Sequence, residues 1–113
     1  MIGYKLGSYG PNTVLIELEI PEDAKVCRIP KKRGFDSDRY KCDKALVKRI
    51  TSIDGVHVVK WADSLYPKFN EKTCEYANIH YEVGKMAYPN GFDKKAFGKG
   101  IYFFDTKEKA INY

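Results

Sequence analysis

The stretch from Arg28 to Lys41 holds the densest set of side chains able to do recognition chemistry. Arg28, Lys31, Lys32, Arg33, Arg39 and Lys41 fall within fourteen residues, interleaved with Phe35 and Tyr40. Cations beside aromatic rings suit a single-stranded nucleic acid or a nucleotide, because the charges meet phosphates while the rings stack on bases. The segment "PKKRGFDSDRYK" has no hydrophobic period and mixes Gly, Pro, Asp and Ser with its charges, so a long exposed loop is expected there. Loops of that length are uncommon unless they are functional or mobile. Asp36 and Asp38 cancel part of the charge, and a merely solvated connection is the plainer alternative.

Other chemistry is thin. His57 and His80 fall in expected strands, the latter near Glu82, and a histidine beside a carboxylate can serve as a general base. No serine or cysteine nucleophile stands at a suggestive spacing, so structural histidines are expected. Asp36, Asp38 and Asp43 lack the spacing and closing glutamate of a calcium loop and are crowded by Lys and Arg. Cys27, Cys42 and Cys74 are odd in number and contain no CxxC pair. They fit thiols in a reducing compartment better than a disulfide framework or a zinc site. "GKG" at 98–100 matches no phosphate-binding loop. No metal, cofactor or catalytic group is expected.

The elements that would position these residues are mostly strands. In "TVLIELEIP", Val14, Ile16, Leu18 and Ile20 share one face and Glu17 and Glu19 the other, until Pro21 ends the ladder. "AKVCRI" is a short second strand. "ALVKRITSIDGVHVVKW" reads as a hairpin whose Asp54-Gly55 suits a type I′ turn. A helix through Leu46, Ile50 and Ile53 is its competitor, disfavoured by the β-branched content. Residues 62–77 look irregular, and "NIHYEVGKMAYP" looks like a strand bent at Gly84, followed by a turn at Pro89-Asn90-Gly91. "GIYFF" is an apolar strand. In "DTKEKAINY", Asp105 is expected to cap a helix over 106–113, with Glu108 closing a capping box. The expected fold is therefore a single α+β domain over residues 1–113, a small mostly antiparallel sheet with the C-terminal helix packed on it.

Size and charge agree with one domain. The chain has 113 residues, and a chain of that size buries enough surface for a core without metals or disulfides. Its net charge is +5 and its pI about 9.0, which favours acidic partners. Met1 to Tyr4 leads directly into turn residues rather than a signal peptide, and no apolar run approaches the roughly 20 residues of a membrane span. A cytoplasmic location is expected, with no membrane association.

Several stretches together carry a family resemblance. "MIGYK", "LIELEIPEDAKV", "KCDKALV", "YEVGKMAYPNGFD" and "GIYFFDTKEKAINY" are similar, in this order and over nearly the whole chain, to a domain of unknown function. That domain occurs in giant-virus, phage and bacterial proteins, often beside pentapeptide repeats, and the stretch from Lys31 to Arg39 is where this chain departs most from its pattern. The resemblance implies a viral or phage-type accessory domain that acts on a host component, with modulation of host defence among the implied roles.

A second, local resemblance touches "FGKGIYFFDTKEKAINY". It is similar to the strand–turn–helix by which poly(ADP-ribose) polymerases bind nicotinamide, and it implies that Tyr113 stacks on that ring while Tyr102 lines the pocket. Ala110 stands where those enzymes carry a serine for the carboxamide. Their histidine is followed by glycine, whereas here Val58 follows His57 and Tyr81 follows His80. The reading taken forward is a non-enzymatic binding module. Its partner would be a host protein or an acidic ligand, nucleic acid or nucleotide, held through Arg28, Lys31, Lys32, Arg33, Phe35, Arg39, Tyr40 and Lys41. An NAD-using ADP-ribosyltransferase-like enzyme with a pocket at Tyr102 and Tyr113 is the alternative, and a homo-oligomeric structural domain is a third.

Overall fold

A computed structural model describes residues 1–30, 39–64, 79–89, 91–94 and 99–112. These residues form ten strands: β1 (Ile2–Tyr9), β2 (Asn12–Glu19), β3 (Val26–Ile29), β4 (Arg39–Cys42), β5 (Ala45–Ser52), β6 (Val58–Val59), β7 (Trp61–Ser64), β8 (His80–Glu82), β9 (Met86–Ala87) and β10 (Ile101–Phe103). The helix α1 spans only Lys107–Ile111. The described residues are thus nearly all β, which corrects the expected α+β class. Its apolar residues follow period two almost throughout, and five helical residues at the end make no second layer.

Seven strands form one sheet in the order β6-β5-β2-β1-β7-β8, with β9 on the outer side of β5. The corner between β8 and β9 also reaches β5, since the Gly84 amide donates to the Val47 carbonyl at 2.8 Å. One end of the path therefore returns toward the other, and the antiparallel sheet curls into a half-barrel. Strands β10, β4 and β3 make a separate three-stranded antiparallel sheet. It is tied to the first where Tyr4 and Phe104 exchange backbone hydrogen bonds of 2.8 and 2.7 Å.

Strand β2 shows why the sheet has an inside. Val14, Ile16 and Leu18 enter the main core with Val47, Ile50 and Phe103. Leu15 points the other way, into a smaller cluster with Phe104 and Ala110, against which Tyr4, Leu6 and Ile111 pack. The helix thus covers the outer face of β1 and β2. Its N-cap is Thr106, whose hydroxyl accepts from the Lys109 amide, while Asp105 pairs with the Lys109 ammonium at 2.9 Å. The expected Asp105–Glu108 capping box is replaced by this arrangement one residue later.

Strand β1 was hidden in what reads as turn-forming sequence. Its inner face is Gly3, Lys5 and Gly7, paired with Leu18, Ile16 and Val14. Phe103 lies directly over Gly3, and a side chain on Gly7 would meet Ile16 Cδ1 at 2.5 Å. The glycines are there because core side chains from other strands cross the β1 backbone.

The hairpin joins β5 to β6, with Ile50 opposite Val59 and Thr51 opposite Val58. Its turn differs from the expected type I′, which needs positive φ at two residues. Here Gly55 has φ 79 while Asp54 keeps a negative φ. The Gly55 amide donates to the Ser52 carbonyl at 2.9 Å and the Val56 amide to Asp54 Oδ1 at 3.0 Å. Among the described residues, no helix is long and apolar enough to cross a membrane.

Candidate functional site

The basic stretch is split by the structure. Its last residues, Arg39, Tyr40 and Lys41, belong to β4, the central strand of the small sheet, rather than to a loop. Arg28 lies opposite Tyr40 on β3, and on β10 Tyr102 lies opposite Lys41 and Phe103 opposite Tyr40. Neighbouring strand residues point to opposite faces, so the pleat separates side chains that the sequence interleaves. Arg39, Lys41 and Tyr102 share one face, and Tyr40, Arg28 and Phe103 the other.

On the second face Tyr40 stacks on Phe103, with centroids 5.5 Å apart and rings 20° from parallel. It packs against the main core. Arg28 is exposed at the edge of the same sheet.

The first face is more elaborate. The Arg39 guanidinium lies 5.5 Å from the Tyr102 ring centroid, and Lys41 Nζ lies 5.6 Å from the same ring and 5.6 Å from that of Phe92. Lys41 is completely buried. Its ammonium pairs with Asp93 Oδ1 at 3.2 Å, while Asp93 Oδ2 accepts from the Lys99 amide at 3.1 Å. The Lys41 stem runs against Gly100, at φ 148, where any side chain would collide with it. Lys41 is therefore a buried ion-pair partner that ties the 91–94 and 99–100 segments to β4. Arg39 and Tyr102, each half-buried, remain at the surface above it. Lys31, Lys32, Arg33, Phe35 and Tyr113 lie outside the described residues.

The histidines are elsewhere. His57 is exposed on the β5–β6 connection. His80 sits on β8, in the sheet that does not contain Tyr102. Its Nδ1 lies 2.7 Å from Asp63 Oδ1 and its Nε2 3.6 Å from Glu82 Oε1. Its ring stacks on Trp61 at 5.7 Å, and Trp61 meets Tyr9 at 4.7 Å. Lys85, 2.6 Å from Glu82, holds that carboxyl below the usual carboxylate range. This row is a solvent-facing set of hydrogen-bonded side chains. Among the described residues, no three His, Cys, Asp or Glu groups converge in a way that would hold a metal ion.

One constellation escapes a sequence reading altogether. Lys5 projects from the inner face of β1, and its Nζ donates to the Tyr81 hydroxyl at 2.7 Å. Tyr81 and Cys42 are completely buried, and Ser64 is buried beside them. Burial pushes the Lys5 amine down to about 8 and the Cys42 thiol up to about 12. Burial also pushes the Tyr81 phenol well up, opposed by a hydrogen bond with Ser64. The one available signal is a lysine flanked at i±2 by glycines, which by itself reads as a turn.

Comparison with known proteins adds kinship. The profile of a family described as a family of unknown function (DUF5758) matches residues 1–110. An uncharacterized protein of Acanthamoeba polyphaga mimivirus is 32% identical over 121 aligned residues, which cover 100% of this chain and 66% of that protein. The chain thus spans just under two thirds of the length of this viral relative. No solved structure matches the chain.

Proposed function

We propose that this chain, which belongs to the family of unknown function DUF5758, is a viral-type accessory module that binds an acidic ligand without turning it over. The carrying observation is the Arg39–Tyr102 pair, a guanidinium 5.5 Å from an aromatic ring on one face of the small sheet. The chain continues from Arg39 directly into the stretch that holds Arg33, Lys32 and Lys31. A cation against a ring is a stacking surface with charge built in, suited to a base and its phosphate. The net charge of +5 supports attraction of such a ligand at long range. Single-stranded nucleic acid is the occupant this chemistry favours. An acidic face of a host protein would use the same charges, and the cytoplasm of a host cell is where the module would meet either.

These residues divide the work. Arg39 and Tyr102 would contact the ligand, while Tyr40 and Lys41 hold the sheet that presents them and Arg28 stands on its other face. The alternative, a nicotinamide pocket at Tyr102, is disfavoured by charge. The nicotinamide ring of NAD is itself cationic, and Tyr102 already has the Arg39 guanidinium against it.

The test is anisotropy of a fluorescein-labelled single-stranded oligonucleotide titrated with wild type, Arg39→Glu and Tyr102→Ala at low and moderate salt. Binding should weaken roughly tenfold or more in Arg39→Glu and should fall as salt rises, since each neutralised phosphate releases counterions. Tyr102→Ala should weaken binding at both salt concentrations, because stacking is little screened. Equal affinity of wild type and Arg39→Glu would remove this face from the reading.

A further inference from the structure

We propose that Lys5 is a nucleophilic amine that captures small aldehydes as an imine inside the half-barrel, beside Tyr81, Ser64 and Cys42. This site is separate from the Arg39–Tyr102 face and does not depend on it.

The geometry argues in three steps. First, β1 sends Lys5 to the core side of the sheet, opposite Ile16, where an aliphatic residue would be the ordinary occupant. Second, its amine finds a phenol rather than a carboxylate. Nζ lies 2.7 Å from the Tyr81 hydroxyl and 4.9 Å from the Tyr81 ring centroid, and among the described residues no Asp or Glu pairs with it. Lys5 is half-buried, and an ammonium partly withdrawn from water without a counter-charge shifts toward the neutral amine. Burial accordingly brings the group down to about 8, so about a tenth of it is neutral at pH 7, far more than for an ordinary lysine. Third, the competing nucleophile is silenced. The Cys42 thiol is pushed up to about 12 and stays protonated, which leaves the amine as the reactive atom.

A neutral amine held in a shielded position is the group that forms Schiff bases with carbonyl compounds. The Nζ lone pair adds to the carbonyl carbon, the carbonyl oxygen takes up a proton, and the nitrogen gives one up. The resulting hydroxyl leaves as water with the second amine proton, so that amine and aldehyde give imine and water. The Tyr81 hydroxyl, 2.7 Å from Nζ, is placed to hydrogen-bond the oxygen as its charge develops. A site poor in water also protects the product from hydrolysis. Small aldehydes are the class that could reach the amine, because Lys5 is half-buried while Tyr81, Ser64 and Cys42 around it are buried.

The experiment treats the intact chain with acetaldehyde and sodium cyanoborohydride at about pH 7.5, where an ordinary lysine is almost wholly protonated. Peptide mapping by mass spectrometry then gives the ethylation rate of each lysine. Lys5 should react roughly tenfold faster than the exposed lysines, after allowing for the lower nucleophilicity of a less basic amine. In urea that advantage should vanish, since it comes from the fold. Tyr81→Phe, if folded by circular dichroism, should slow Lys5 several-fold while leaving exposed lysines unchanged. A folded wild-type chain in which Lys5 reacts no faster than the exposed lysines overturns the proposal. A folded Tyr81→Phe chain that reacts like wild type overturns the role of Tyr81.

Discussion

Lys41 and Lys5 both point inward from their strands, one wholly buried and the other half-buried, and they meet different partners. Lys41, on β4, is wholly buried with its ammonium 3.2 Å from the Asp93 carboxylate. Lys5, on β1, places its amine 2.7 Å from the Tyr81 phenol. In the first case a negative charge offsets the loss of water, and the pair fastens a loop to a strand. In the second a neutral hydroxyl offsets little of that loss, and burial brings the amine down to about 8. The difference teaches that a buried lysine takes its role from its partner. With a carboxylate it is a structural tie, and with a phenol it is drawn toward its neutral form.

The sharpest way to break the contrast is to take away the carboxylate. Asp93→Asn should destabilise the fold by about 2–3 kcal/mol. That is less than a fully buried pair would lose, because the Asp93 side chain is 35% exposed. The double variant Lys41→Met with Asp93→Asn should recover much of this loss in urea denaturation. If it falls below the single variant, the pair is worth more than its desolvation.

Next in size is the opposite change at the other site. Lys5→Met should raise stability at neutral pH by about 1–2 kcal/mol, since it removes an ammonium that the fold holds without a counter-charge. Loss of stability would mean that the Tyr81 hydrogen bond outweighs desolvation.

The pH dependence of wild type is a smaller effect with a definite sign. Between pH 8 and 9 the unfolded chain keeps the Lys5 proton, near its ordinary 10.5, while the folded chain releases it. The unfolded state then binds more protons, so stability should climb by about 1 kcal/mol over that interval. Above it, Cys42 and Tyr81 act in the other direction, because the unfolded chain loses their protons before the folded chain does. Stability should therefore turn over between about pH 9 and 10. Lys5→Met should abolish the climb and keep the decline. A flat wild-type profile would show that the amine reaches water.

The smallest effect on stability belongs to the surface. Arg39→Glu should change it by no more than about 0.5–1 kcal/mol, the worth of a cation over a ring at a half-exposed site. A larger loss in thermal denaturation would class Arg39 with Lys41 as a structural group.

How much of this was legible before the fold was known differs from element to element. The alternation of Val14, Ile16 and Leu18 disclosed β2, and the β-branched flanks of Asp54-Gly55 disclosed the β5–β6 hairpin, because both signals are local. The terminal helix was visible too, although its cap moved from Asp105 to Thr106. The class was misread because the terminal helix, only five residues long, was given the weight of a layer, and β1 was missed because Gly3, Gly7 and Ser8 look like turn residues. Only Phe103 and Ile16, arriving from other strands, explain why β1 needs glycine there.

The candidate surface divides the same way. Composition alone determined that Arg28 to Lys41 concentrates positive charge and rings, and that the chain carries a net charge of +5. The pleat and the register of β3, β4 and β10 decided which of those side chains reach water. They set Arg39 against Tyr102, turned Tyr40 onto Phe103 and buried Lys41 with Asp93, 52 residues away in sequence. The chemistry of a lysine depends on what surrounds its ammonium, and no stretch of sequence around Lys5 or Lys41 names a partner that the fold brings from 76 or 52 residues away.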